Sequence, residues 1–387
     1  MLKGLYGLVE SSSTWYDHLT SFLVKQGFAI CEFDKCVLKK GGVTLVIYVD
    51  DLMFTGPEEE ANEACDLVEA EFGDCKRRSG SKLSFLGMDF LIDNGSVLIN
   101  IDLSKIIEST NCLADTPAPN HLFSVASGAE SLTEANAEKF HSTVAKLLYV
   151  AKRTRPDILL TVNFLCTRVK APTMEDAMKL VRLCRYLKCT MDDGILLKME
   201  RGDTLIMEAY IDASYGVHED SKSHSGMMVT LGSGALLAIS TKQKCVSKSS
   251  TEAELIAVTD LFPSAMEVVC NITEEITGKN VKLVLYQDNM ATIGMIKNGT
   301  GGSRSKHIKI RFAWLKERLE DGDFFMEYKA TGDMLADGLT KPKQGIGFES
   351  FKNGVGVQTV TKERAEESEN LVVPDLCADS AVKADQE

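Results

Sequence analysis

The stretch Leu205-Ile206-Met207-Glu208-Ala209-Tyr210-Ile211-Asp212 decides the fold. Its apolar run predicts a short strand that stops at an acid. Downstream, two more short strands are expected, Gly226 to Leu231 and Ala235 to Ser240, and then a helix from Ser250 to Phe262. A strand at Val281 to Tyr286 ends in Asp288, helices follow near Asn289 to Lys297 and His307 to Glu320, and a last strand, Phe324 to Tyr328, leads to a short helix holding Asp337. Strands and helices interleave, so the class is α/β (α+β).

Upstream the spacing changes. Residues 134 to 190 carry helical patterns with Leu147, Leu148, Val150, Leu159 and Val162 on apolar faces, broken at Pro156 and Pro172. Thr116-Pro117-Ala118-Pro119-Asn120 cannot continue a helix, which puts a boundary near residue 115. Before it, Val43 to Tyr48 and Leu52 to Phe54 predict two strands joined by a tight acidic turn at Asp50-Asp51, and Pro57 to Phe72 predicts a helix. Phe85 to Asp93 and Ser96 to Ile101 flank Asn94-Gly95, which tolerates positive φ and favours a hairpin turn. The expected domains are 1–115, strand hairpins with a helix; 116–204, a helical connector; 205–345, the interleaved strands and helices; and 346–387, an acidic tail. Beyond about residue 360 the composition is charged and poor in aromatics, so disorder is expected there.

A chain of 387 residues with 44% hydrophobic residues has the apolar side chains for two or three packed domains. Its start lacks the basic beginning and apolar core of a secretory signal, and no uninterrupted apolar run reaches membrane-spanning length. The expectation is an intracellular protein, cytoplasmic or nuclear, with no membrane partner. The eleven cysteines are scattered singly, which suggests neither a zinc site nor a disulfide framework. A net charge of -13 opposes phosphate binding overall. The charge is uneven, however: Lys76-Arg77-Arg78, Lys152-Arg153-Thr154-Arg155 and Arg304 to Arg311 are basic.

Single acids at strand ends and helix starts are usually caps or solvated residues. Here their arrangement is the signal. Asp212 and Asp288 end two strands, Glu254 sits in the first turns of an intervening helix, and Asp337 begins a terminal one. Four such acids converge only around positive charge, and hard oxygen ligands suit Mg²⁺ or Mn²⁺. The implied chemistry is phosphodiester cleavage with two ions about 3.5 to 4 Å apart.

Tyr210-Ile211-Asp212-Ala213-Ser214, Ser249-Ser250-Thr251-Glu252-Ala253-Glu254, Tyr286-Gln287-Asp288-Asn289, Lys306-His307-Ile308 and Leu335-Ala336-Asp337-Gly338-Leu339-Thr340-Lys341-Pro342 resemble, in order and spacing, the ribonuclease H domain of copia-type retrotransposon polyproteins. The resemblance implies a ribonuclease H-like mixed sheet flanked by helices, with two Mg²⁺ (or Mn²⁺) ions on Asp212, Glu254, Asp288 and Asp337. Glu252 is the alternative to Glu254; the apolar Leu255, Ile256 and Val258 that follow favour Glu254. Leu2-Lys3-Gly4-Leu5-Tyr6-Gly7-Leu8, Trp15-Tyr16 and Tyr48-Val49-Asp50-Asp51 resemble the end of the family's reverse transcriptase, a truncated polymerase palm in which Asp50 and Asp51 would help bind metals. The middle segment, with Leu148-Tyr149-Val150-Ala151, Thr154-Arg155-Pro156-Asp157-Ile158 and Arg185-Tyr186-Leu187-Lys188, resembles the family's link between the two.

Departures matter as much. The palm's further aspartate lies upstream of anything this chain contains, and Val9-Glu10-Ser11-Ser12-Ser13-Thr14 replaces the family's cations, so loss of DNA synthesis is expected. Thr331-Gly332-Asp333-Met334 lacks the histidine that many ribonucleases H carry before the last acid. Asp333 is expected to cap the helix of Asp337, Asp220 is another nearby acid, His307 should start a helix, and His218 and His224 should lie in loops. The implied substrate is an RNA:DNA hybrid, with Lys306, Lys309 and Arg311 as phosphate contacts. Implied partners are the missing N-terminal polymerase portion or other element-encoded proteins. The rival readings are a decayed or co-opted fragment that only binds nucleic acid or a partner polymerase, and a proofreading-type exonuclease, which the order of elements opposes.

Overall fold

The computed structural model describes residues 9–93, 95–107, 113–200, 202–298, 306–359 and 375–377. The chain forms two compact units, one of residues 1–94, 271–278 and 362–387, the other of 95–270 and 279–361.

In the first unit, helix α1 (Val9–Lys25) precedes four strands that pair antiparallel in order: β1 (Ala29–Ile30), β2 (Val37–Lys40), β3 (Val43–Tyr48) and β4 (Asp51–Thr55). Helix α2 (Glu58–Phe72) sets Ala61, Ala64, Cys65 and Val68 into one core with Leu19, Leu23, Leu45 and Phe54. Three acids in its first turn suit the positive end of the helix dipole. Strand β5 (Lys76–Arg78) follows, then an antiparallel pair, β6 (Lys82–Phe85) and β7 (Met88–Asp93). In the β3–β4 hairpin Tyr48 pairs with Asp51, so Val49 and Asp50 form a two-residue turn. Val49 sits at φ 57°, costly for a β-branched residue, and the Trp15 indole donates to its carbonyl at 2.7 Å. Of the basic run, Arg77 is tied to Asp66 and Glu69.

In the second unit, β8 (Ser96–Asn100) precedes α3 (Glu134–Arg153), α4 (Leu159–Cys166) and α5 (Met174–Cys189), and pairs antiparallel with β9 (Asp193–Met199). The long β10 (Thr204–Ser214), β11 (His224–Thr230), β12 (Gly232–Ser233) and β13 (Leu237–Lys242) lead to α6 (Ser250–Pro263). Past Pro263, which has no N–H to give the ladder, the helix widens to a π turn over Ser264–Cys270 and runs into α7 (Asn271–Thr277), part of the first unit. Then come β14 (Asn280–Gln287), α8 (Met290–Asn298), α9 (Lys306–Glu320), β15 (Phe325–Tyr328), α10 (Gly345–Gly354) and β16 (Val357–Thr359), with β17 (Asp375–Cys377) paired to β4 and β5 in the first unit.

The main sheet has the order β13-β11-β10-β14-β15, with β10, β14 and β15 mutually parallel and the rest antiparallel. Alternation along β10 explains its two-sided burial. Met207, Ala209, Ile211 and Ala213 pack with Val258, Leu261 and Phe262 of α6, whereas Tyr210 packs with Leu147, Val150, Ile158 and Phe164 of the helical segment. The connector expected over 116–204 is therefore the cover of the sheet's second face, and the units divide at residue 94 rather than near 115.

Further expectations change. Phe348, Phe351, Val355 and Val357 are buried in that core, so the tail expected from residue 346 is ordered through β16. The rest of the expected tail, 360–374 and 378–387, lies outside the described residues. Cys189 is disulfide-bonded, against the expectation of separate thiols. The helical run Ser250–Thr277 has the length and apolar composition to cross a membrane; its α6 portion is a core helix. Arg155, the last of the basic run Lys152-Arg153-Thr154-Arg155, is fully buried, paired with Asp157 at 2.8 Å, and the Tyr186 hydroxyl donates to the same carboxylate.

Candidate functional site

Asp212 occupies the end of β10, Asp288 follows its parallel neighbour β14, and Glu254 lies in α6. Strands that run side by side in one direction deliver their C-terminal ends to the same place. Ligand oxygens of Asp212, Glu254 and Asp288 accordingly lie within 4.8 Å of one another. They line a cavity of about 580 Å³ with Ser214, Tyr215, Asn289 and Lys341.

Each carboxylate is held by its neighbours. Gln287, completely buried, donates to Glu254 Oε2 at 3.3 Å and accepts the Asp288 and Asn289 amides through Oε1 at 2.8 and 3.0 Å. The Thr331 hydroxyl donates to Asp288 Oδ2 at 2.7 Å. Thr340 Oγ1 donates to Asp212 Oδ2. Gly226 makes room for this last contact: it pairs with Asp212 across β10 and β11, and a Cβ there would stand 2.8 Å from Leu339 Cβ and Thr340 Cγ2. Only glycine lets the turn carrying Asp337 lie so close to the sheet.

Asp337 sits in a 3-10 turn, Leu335–Leu339, buried but not free. Lys341 Nζ stands 2.5 Å from Asp337 Oδ1 and 3.5 Å from Asp212 Oδ2, and Lys343 pairs with Asp337 Oδ2. Burial works against the Lys341 ammonium, yet Asp212 and Asp337 hold its pKa up at about 12. Burial, then Asp212 and Asp288, push Glu254 up to about 9. Burial also raises Asp212, against the opposing pull of Lys341 and Thr340. Among the described residues no Lys or Arg pairs with Glu254 or Asp288. Three adjoining carboxylates, two of them buried and reluctant to ionise and Asp288 half-buried, are a donor set that a divalent cation fits: hard oxygens whose mutual repulsion positive charge relieves.

Glu252 does something else. Ser249 Oγ caps α6 by accepting the Glu252 amide at 3.1 Å, while Glu252 Oε2 turns back to accept the Lys248 amide at 2.9 Å. Asp333 is exposed, and no side chain caps the turn of Asp337, so the expected capping role is absent. Asp220 is held by Lys222 and Lys242. Asp50 and Asp51 lie on their hairpin in the other unit, and among the described residues no third acid joins them. Lys306 does begin α9, but the side chains of Lys306, His307, Lys309 and Arg311 lie outside the described residues.

His224 is not in a loop: it is buried on β11. His218 Nε2 lies 3.0 Å from His224 Nδ1, His224 Nε2 lies 2.7 Å from Ser240 Oγ, and Ser240 Oγ donates to the Leu339 carbonyl at 2.8 Å. Because Ser240 spends its only proton on Leu339, it must accept from His224, whose Nδ1 must then accept from His218. The chain of donors ends on the turn of Asp337 and Thr340. Its members were missed in the sequence because only folding brings them together. Thr340 and Lys341 carried a signal: three and four residues after Asp337, they share its face.

No family model matches the chain. The Pol polyprotein of transposon RE1 from Arabidopsis thaliana is 32% identical over 92% of this chain, and that of transposon RE2 from the same plant is 30% identical over 92%. The chain is a homologue of copia-type retrotransposon Pol polyproteins. It spans about a quarter of the length of these Pol polyproteins. Among solved structures, a foamy viral protease–reverse transcriptase in complex with double-stranded DNA matches over 84% of this chain and 50% of its own, at 12% identity and a TM-score of 0.48. A likeness of that size bears no weight; the tie to the Pol polyproteins is one of sequence.

Proposed function

We propose that the second unit cuts the RNA strand of RNA:DNA hybrids as a two-ion, metal-dependent ribonuclease H. The observation that supports this reading is the meeting of Asp212, Glu254 and Asp288, from three separate elements, on the wall of one cavity. Bound Mg²⁺ or Mn²⁺ would activate the attacking water and stabilise the leaving oxygen. The chain's own part is to present ligand oxygens in fixed positions: Gln287 holds Glu254, Thr331 holds Asp288, and Thr340 holds Asp212. Ser214, Asn289 and Lys341 line the same cavity and offer donors to a phosphate. Asp337 is the proposed fourth ligand.

A hybrid is read through its wide minor groove and 2′-hydroxyls, so cleavage should depend little on base sequence. Lys306, Lys309 and Arg311 on α9 are the proposed backbone contacts, which makes binding salt-sensitive. The first unit, in which no third acid joins Asp50 and Asp51 among the described residues, is proposed not to extend a primer unaided. The remainder of a polymerase, or other element-encoded proteins, are the proposed partners, inside the cell.

The test is Mg²⁺-dependent cleavage of an RNA:DNA duplex by the purified chain, compared with Asp212→Asn. Wild type should cut and the variant should lose at least roughly a thousandfold in rate, about 4 kcal/mol of barrier. Cutting unaffected by the substitution sinks the assignment. Hybrid binding without any cutting identifies a co-opted binding module instead.

A further inference from the structure

The two sides of the acid cluster carry different counter-charges. Asp212, Glu254 and Asp288 face one another, and among the described residues no cation pairs with Glu254 or Asp288. On the other side both oxygens of Asp337 are taken, Oδ1 by Lys341 and Oδ2 by Lys343. Lys341 also reaches Asp212 at 3.5 Å, so one ammonium bridges two of the proposed ligands. It lines the same cavity, and its side chain is 43% exposed, so it has solvent to move into.

We propose that Lys341 is a built-in competitor for the second ion. Glu254, Asp288 and Asp212 through Oδ1 are available to a first divalent ion, since Lys341 and Thr340 meet Asp212 at Oδ2, whereas Asp337 can ligate another only after Lys341 leaves the gap between Asp337 and Asp212. This rests on the nuclease reading above and adds an order to it: a first ion enters readily and a second enters against a lysine. The i, i+4 spacing from Asp337 to Lys341 makes the competition part of the local fold, because the turn that presents the ligand also presents its rival. Once displaced, the ammonium stays at the cavity wall.

The test needs no substrate. Mn²⁺ is titrated calorimetrically into the full chain without nucleic acid, for wild type, Lys341→Gln, Lys341→Arg and Asp212→Asn, each checked for its melting transition. Wild type should bind in two steps, and Lys341→Gln should tighten the weaker step about fivefold, the scale of a partly exposed ion pair, while leaving the tighter one unchanged. Lys341→Arg keeps the charge and should behave as wild type, which separates competition from a folding defect. A weaker step that is unchanged or loosened in a folded Lys341→Gln overturns the proposal. Asp212→Asn should remove both steps; if it leaves Mn²⁺ binding intact, the metal-site reading itself fails, whatever Lys341 does.

Discussion

Two acidic constellations in one chain teach opposite lessons. Asp50 and Asp51 adjoin in sequence, on a hairpin turn with Tyr48 and Val49 exposed, and need no long-range folding to be neighbours. Asp212, Glu254 and Asp288 are scattered over 77 positions (212 to 288, inclusive) and meet only because β10 and β14 run parallel and α6 crosses them. Adjacent, half-exposed acids cost a fold almost nothing, so their presence says little about use. Buried acids brought together at the expense of their own ionisation must answer to something positive.

Four substitutions and one change of condition break or sharpen this contrast. The largest effect belongs to Arg155→Met, which strands Asp157 in the core that backs the sheet. It should destabilise the second unit by about 3–5 kcal/mol in urea unfolding, because a buried charge is left unpaired. An equal drop in the first unit's transition would show that the two regions do not stand apart. Next, Thr340→Val removes the hydroxyl that holds Asp212 and should weaken Mn²⁺ binding about tenfold, the lower end for an outer hydrogen bond to a ligand. Trp15→Phe, which frees the Val49 carbonyl at the other constellation, should leave Mn²⁺ binding as it is; the reverse pattern would exchange the roles of the two regions.

The smallest effect is acid sensitivity. Burial, then nearby Lys242, holds His218 down at about 4, and burial, then His218, holds His224 at about 3. An unfolded chain takes up these protons near pH 6.5 and the native state resists them, so native stability is full above about pH 6.5 and is lost as pH falls toward 4. The second unit's melting temperature should fall across that window, and His224→Gln should flatten the fall. A flat wild-type profile would contradict the buried, neutral pair.

Much of this was legible in the sequence, for identifiable reasons. The strands at 205–212 and 281–286 and the helix at 250–262 carry strong local patterns, and they fix where Asp212, Glu254 and Asp288 stand. Local pattern failed where tertiary packing decides. Arg155 reads only as part of a basic run until Asp157 and Tyr186 close around it, and α10 reads as tail until Phe348 and Phe351 join the core under the sheet. His224 reads as a loop residue because the serine and histidine that satisfy its ring are 16 positions after it and 6 before it. The lysines on Asp337 were in plain view, but charge pairing depends on the turn that presents them.

The most direct test of the central claim is an anomalous difference map from crystals of the chain soaked in Mn²⁺. The account predicts a peak among the carboxylates of Asp212, Glu254 and Asp288 and none at Asp50 and Asp51. A peak at the hairpin with nothing at Asp212, Glu254 and Asp288 would contradict it.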